Sequence, residues 1–141
     1  MLGKLATLDA RRRALLAYGF VWVLISKAAL AVPGGSLPRR QRALDRLAAR
    51  LPAPPPFTGP EAVWAVTAAA RRVPGARCLA WSLALRGLFA QAKTPSELRL
   101  GVAATGSGAV QAHAWLEAAG RTWSWGDPSG YSVLRPRPAE T

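Results

Sequence analysis

The sequence predicts an α+β fold in which a helical N-terminal part precedes a central helix packed on an antiparallel sheet. Three observations carry this. Apolar residues recur at helical spacing through the first two-thirds of the chain, residues from 97 onward alternate as strands do, and turn signals divide that stretch at hairpin intervals. With 141 residues, 50% hydrophobic and 18% charged, the chain has enough apolar surface for one core and lies far from the composition of disordered polymers.

The elements follow in order. Residues 14–26 (ALLAYGFVWVLIS) carry no charge behind Arg11, Arg12 and Arg13, and apolar character resumes after Lys27 as far as Val32. A buried or interfacial helix fits this pattern. It also imitates a secretory signal, with small residues at Ala29-Leu30-Ala31, but Lys27 interrupts it short of the roughly 20 apolar residues of a membrane span. Residues 37–51 set Leu44, Leu47, Ala48 and Leu51 against arginines on the opposite side, an amphipathic surface helix. Five prolines in residues 52–60 make a stiff connector.

Thr58 or Gly59 then caps a third helix. Pro60 suits its first turn, Val63, Trp64, Val66 and Thr67 lie along it, and Arg71 and Arg72 meet the negative end of its dipole. A fourth helix begins near Cys78, after Pro74-Gly75, and is apolar almost all round through Leu79, Leu83, Leu85, Leu88 and Phe89. It is the expected central helix. Strands are expected over residues 98–103, 110–118, 122–125 and 131–134, with turns near 106–108 and at Gly120. The chain divides into N-terminal helices (1–51), the connector (52–60), an α+β core (61–134) and a tail (135–141), within one compact domain.

Composition excludes some chemistry. One cysteine, Cys78, rules out an intrachain disulfide framework, and with one histidine, His113, it rules out a Cys/His zinc site built from this chain alone. No cofactor is expected. Nineteen cations, sixteen of them Arg, against seven carboxylates give a net charge of +12, a field that attracts anionic partners of some kind. A non-enzymatic basic module for nucleic acid or an anionic membrane is therefore one reading. No nucleic-acid motif supports it, and most of the six Trp fall in presumed core and cleft segments instead of alternating with the Arg runs. A solvated basic surface explains the arginines equally well.

Cys78 stands at the start of the most buried helix, directly after Arg77. The positive end of a helix dipole and an adjacent cation favour a thiolate, the form that acts as a nucleophile. A lone cysteine is also often a small buried hydrophobe. His113 shares a strand face with Gln111, Trp115 and Glu117, where it is either a base or a structural histidine. A hairpin turning on Ala119, Gly120 and Arg121 would pair Glu117 with Trp123, Trp115 with Trp125 and His113 with Asp127, bringing a carboxylate to the imidazole. Asp127-Pro128-Ser129-Gly130 is equally a type I turn sequence that the aspartate caps. Glu117 is the other possible orienter, but four residues along a strand put it about 13 Å from His113. Nucleophile, base and orienting carboxylate together make a Cys-His-Asp constellation.

Three blocks carry a resemblance: Arg77-Cys78-Leu79-Ala80-Trp81-Ser82-Leu83-Ala84-Leu85, then Glu97-Leu98-Arg99-Leu100-Gly101-Val102, then Ala112-His113-Ala114-Trp115-Leu116-Glu117 with Gly120-Arg121. In order and spacing, over residues 77–128, they resemble the lasso-peptide leader peptidases, a transglutaminase-like family with a papain-like arrangement of helix and sheet. The resemblance implies a cytoplasmic cysteine protease that cuts the leader from a ribosomally made precursor, so that a separate ATP-dependent cyclase can close the macrolactam. It assigns Cys78 as nucleophile, His113 as base and then acid, Asp127 as orienter, and the Cys78 backbone N–H to an oxyanion hole. The sequence departs from the family in placing Trp125 where the aspartate usually stands, with Asp127 two residues later. Stand-alone relatives are the catalytic half of a split system, so a separate leader-recognition protein is expected as partner, and the Arg-rich helix is one surface for it or for an acidic leader. The same triad also suits transglutaminase-like acyl transfer to an amine.

Overall fold

The computed structural model describes residues 9–104, 108–125 and 132–133. Four helices come first: α1 (Ala10–Ala31), α2 (Leu37–Arg50), α3 (Gly59–Ala70) and α4 (Cys78–Gln91). Strands β1 (Ser96–Ala104), β2 (Val110–Ala118), β3 (Arg121–Trp123) and β4 (Ser132–Val133) follow and form an antiparallel sheet in the order β3-β2-β1-β4. The α+β class read from the sequence is the observed one.

The first three helices start where their capping chemistry lies. Asp9 accepts from the Arg12 amide, Ser36 from that of Arg39, and Thr58 from that of Glu61, whose carboxylate returns the bond to the Thr58 amide as a capping box. α1 turns Leu15, Leu16, Gly19, Trp22, Val23 and Ser26 inward, and at Gly19 it meets the backbone of Ala65 on α3 so closely that no Cβ fits. By length and composition α1 would also span a membrane. Its inner face is committed to the core, while Val21 and Leu24 point outward. α4 is central as expected: it packs on the other three helices and on β1 and β2, and most of its residues from Ala80 to Gln91 are buried. On α3 the buried residues are chiefly alanines (Ala62, Ala65, Ala69, Ala70) with Val66; Val63 and Trp64 are only partly covered.

The proline connector is tied down by hydrogen bonds to its carbonyls. Tyr18 Oη donates to Pro52 O (2.8 Å), Gln91 Nε2 donates to the same oxygen (3.0 Å), and Arg11 donates to Pro56 O (3.0 Å). Arg11 also forks onto Glu61, joining α1 to the head of α3. This fork, then the Thr58 amide, holds the Glu61 carboxyl at about 2, below its ordinary 4.5. A carboxyl depressed by folding stabilises the native state above its ordinary value, and that contribution fades as pH falls through 4.5 towards 2. Glu61→Gln is accordingly expected to lower the melting temperature at pH 7, with the gap to the parent closing on acidification. An equal deficit at pH 7 and near pH 2 would contradict the linkage.

One strand register differs from expectation. β2 and β3 pair Ala118 with Arg121, Glu117 with Thr122 and Leu116 with Trp123, so the hairpin turns on two residues, Ala119 and Gly120. The pairings Glu117–Trp123 and Trp115–Trp125 are therefore not formed, and the ladder is displaced by one residue. The cause is Ala119, which takes φ 53° beside Gly120 at φ 73° and so supplies the second left-handed residue that a tight I′-type turn needs. Alanine is strained there. Ala119→Asn, making Asn-Gly, is expected to add about 0.5–1 kcal/mol to the unfolding free energy in a denaturant titration.

Candidate active site

Cys78 is the first residue of α4 and is partly exposed. Arg77, the N-cap, is extended and gives no side-chain hydrogen bond to the helix, so the first-turn amides are not spent on a side-chain cap. The break at Pro74-Gly75 is held against α1 by Lys27, whose ammonium donates to Pro74 O. The thiol thus stands at the positive end of a helix fixed along its length by packing.

His113 is partly buried in β2 and paired with Gly101 of β1. Alternation puts it with Trp115 and Glu117 on the face opposite Leu116 and Ala118, which join the helical core. Its ring stacks on Trp115, with centroids 5.8 Å apart and planes 30° from parallel. Its Nε2 lies 2.9 Å from Ser124 Oγ. Beyond Trp115 the same face carries Arg99, which bonds Glu97 along β1 (2.6 Å) and Glu117 across the β1–β2 ladder (3.2 Å). Glu117, the alternative orienter, is engaged by Arg99.

Asp127 lies outside the described residues. The register reasoning that set it opposite His113 does not carry over, because the observed ladder is one residue out of step with it. In the observed register the even positions of the strand after the turn, Thr122 and then Ser124, share the face of His113, and Ser124 is the residue found at its ring. Sequence reasoning missed Ser124. The available signal was Ala119-Gly120 as a two-residue turn. Among the described residues no group of three His, Cys, Asp or Glu side chains could hold a metal ion.

The chain is matched over residues 14–136 by the model for the Transglutaminase-like superfamily, and it belongs to that superfamily. Comparison with curated proteins and with solved structures gives no significant match. Membership covers α1 to α4 as well as the sheet, so the N-terminal helices belong to the matched region.

Proposed function

We propose that this protein is a cysteine peptidase that removes the leader from a ribosomally made lasso-peptide precursor in the cytoplasm, together with a separate leader-recognition protein. What carries the reading is the location of the resemblance blocks: within a transglutaminase-like chain, the only thiol falls at the head of the central helix and the only imidazole on the second strand packed behind it.

In the proposed reaction His113 takes the Cys78 proton and the thiolate adds to the scissile carbonyl. The oxyanion is met by the Cys78 backbone N–H at the helix start. Collapse expels the amine of the core peptide, which leaves with the proton from His113, and the leader remains as a thioester. Water, deprotonated by His113, then releases the leader carboxylate and restores the thiol. Asp127 is assigned by resemblance as the carboxylate that stabilises the imidazolium. The freed amino terminus is the group a separate ATP-dependent cyclase would use.

The test is incubation of the precursor peptide with this protein, with and without a leader-binding partner, followed by mass analysis. Expected is cleavage that incorporates one water and depends on the partner. A precursor left intact under both conditions overturns the reading, and a product carrying an amine in place of water assigns acyl transfer instead.

A further inference from the structure

We infer that α2 presents a docking ridge for an acidic segment of a partner protein, formed by Arg39, Arg42, Arg46 and Arg50. The inference stands on the surface of this helix and does not depend on the peptidase reading.

The four arginines follow one another at intervals of three, four and four residues, which on an α-helix sets them in one row about 16 Å long. All four are exposed, on the side of α2 turned away from the buried Leu44 and Ala48. None of their guanidinium groups has a hydrogen-bond or ion-pair partner among the described residues. Asp45, the only carboxylate on the helix, is turned to Arg86 of α4 (2.9 Å), and Arg40, beside the row, donates to Val32 O. The row works against the helix that bears it. Like charges three and four residues apart repel, and Arg39 stands in the first turn, at the positive end of the dipole, where no acidic residue offsets it. An anionic partner lying along the row reverses each of these effects, and planar guanidinium forks match carboxylates.

The surroundings of the row select the kind of anion. α2 carries no aromatic side chain on which a base could stack. Its other exposed residues are Pro38, Ala43 and Ala49, so it offers no large apolar side chain to enter a bilayer; the exposed Val21, Leu24 and Val32 belong to α1 and its C-terminal cap. A second copy of a chain with net charge +12 is repelled. Carboxylates along one edge of an acidic polypeptide fit: successive arginines stand about 4.5–6 Å apart along the axis, close to the rise of one helical turn.

The test is titration of the full chain with poly-L-glutamate, followed by backbone NMR, with a single-stranded oligodeoxynucleotide and phosphatidylglycerol vesicles as competing anions. Expected are amide shifts concentrated in residues 37–50. Replacing Arg42, Arg46 and Arg50 together by Gln should weaken polyglutamate binding about tenfold, the sum of three exposed ion pairs. Removing the same charge at the exposed Arg13, Arg71 and Lys93 should change it little. Because repulsion along the row is relieved, the ridge variant should melt no lower than the parent, which separates lost binding from lost folding. Shifts spread over the other arginines, equal losses in the two variants, or undiminished binding by the ridge variant would overturn the inference, and a lower melting temperature would contradict the repulsion on which it rests. Ridge-dependent binding of the oligonucleotide or the vesicles in preference to polyglutamate overturns it in favour of nucleic acid or a membrane.

Discussion

Cys78→Ala is expected to abolish leader removal, by at least about 10⁴-fold in kcat as for other nucleophile deletions, while leaving the melting temperature nearly unchanged. The two halves have separate grounds. No other sulfhydryl exists in the chain to replace the nucleophile. Cys78 is partly exposed at the first helical position, so its truncation opens no cavity and alanine suits the helix. The critical link is contact between this thiol and the His113 ring, since the imidazole stands on the sheet face turned away from Leu116 and the helical core. Alkylation tests that link without any substrate. The proposed pairing predicts that the iodoacetamide rate of Cys78 falls several-fold in His113→Ala, as a thiolate is favoured by a neighbouring cation. A fully active Cys78→Ala protein, or an alkylation rate indifferent to His113→Ala, would end the proteolytic account.

Much of this architecture was legible because local chemistry and global packing agree. Thr58, Pro60 and Glu61 announce the start of α3, and the run from Leu79 to Phe89, apolar save for Ser82 and Arg86, announces a helix with neighbours on almost every side. The hairpin departs from the three-residue turn expected for a specific reason: Ala119 as well as Gly120 takes φ above zero, and one residue of register decides which side chains share a face. That slip hid Ser124 behind Asp127. Contacts spanning long stretches of chain were also beyond reading, because nothing local in a sequence joins Trp22 to Gln91 or Tyr18 to Pro52. The first helix was legible as apolar but not as to which side is core; that side is chosen by the small residues facing it, Ala65 at Gly19 and Gly87 at Trp22.

The seam between α1 and α4 is where a single methyl group should do most harm. Gly→Ala inside a helix normally gains about 1 kcal/mol, and Gly87 is inside α4. Here the added Cβ would lie 2.4 Å from Cδ2 and Cε3 of Trp22, closer than non-bonded carbons approach. The indole has no room to withdraw. It is fully buried, and its Nε1 donates to Gln91 Oε1 (2.8 Å), one helical turn beyond Gly87, while the Gln91 amide group holds Pro52 O and with it the connector. Relief must come by parting the helices or by abandoning a buried hydrogen bond. Either costs more than the helical gain, so Gly87→Ala is expected to lose about 3 kcal/mol net and about 10 °C in melting temperature. Trp22→Ala removes the colliding ring but strands the Gln91 oxygen and leaves a cavity, so it destabilises alone. The double variant should then be more stable than the sum of the single losses by about 1 kcal/mol or more, the signature of two groups competing for one space. Strict additivity, or a melting temperature raised by Gly87→Ala, would show that the indole is not seated against this glycine.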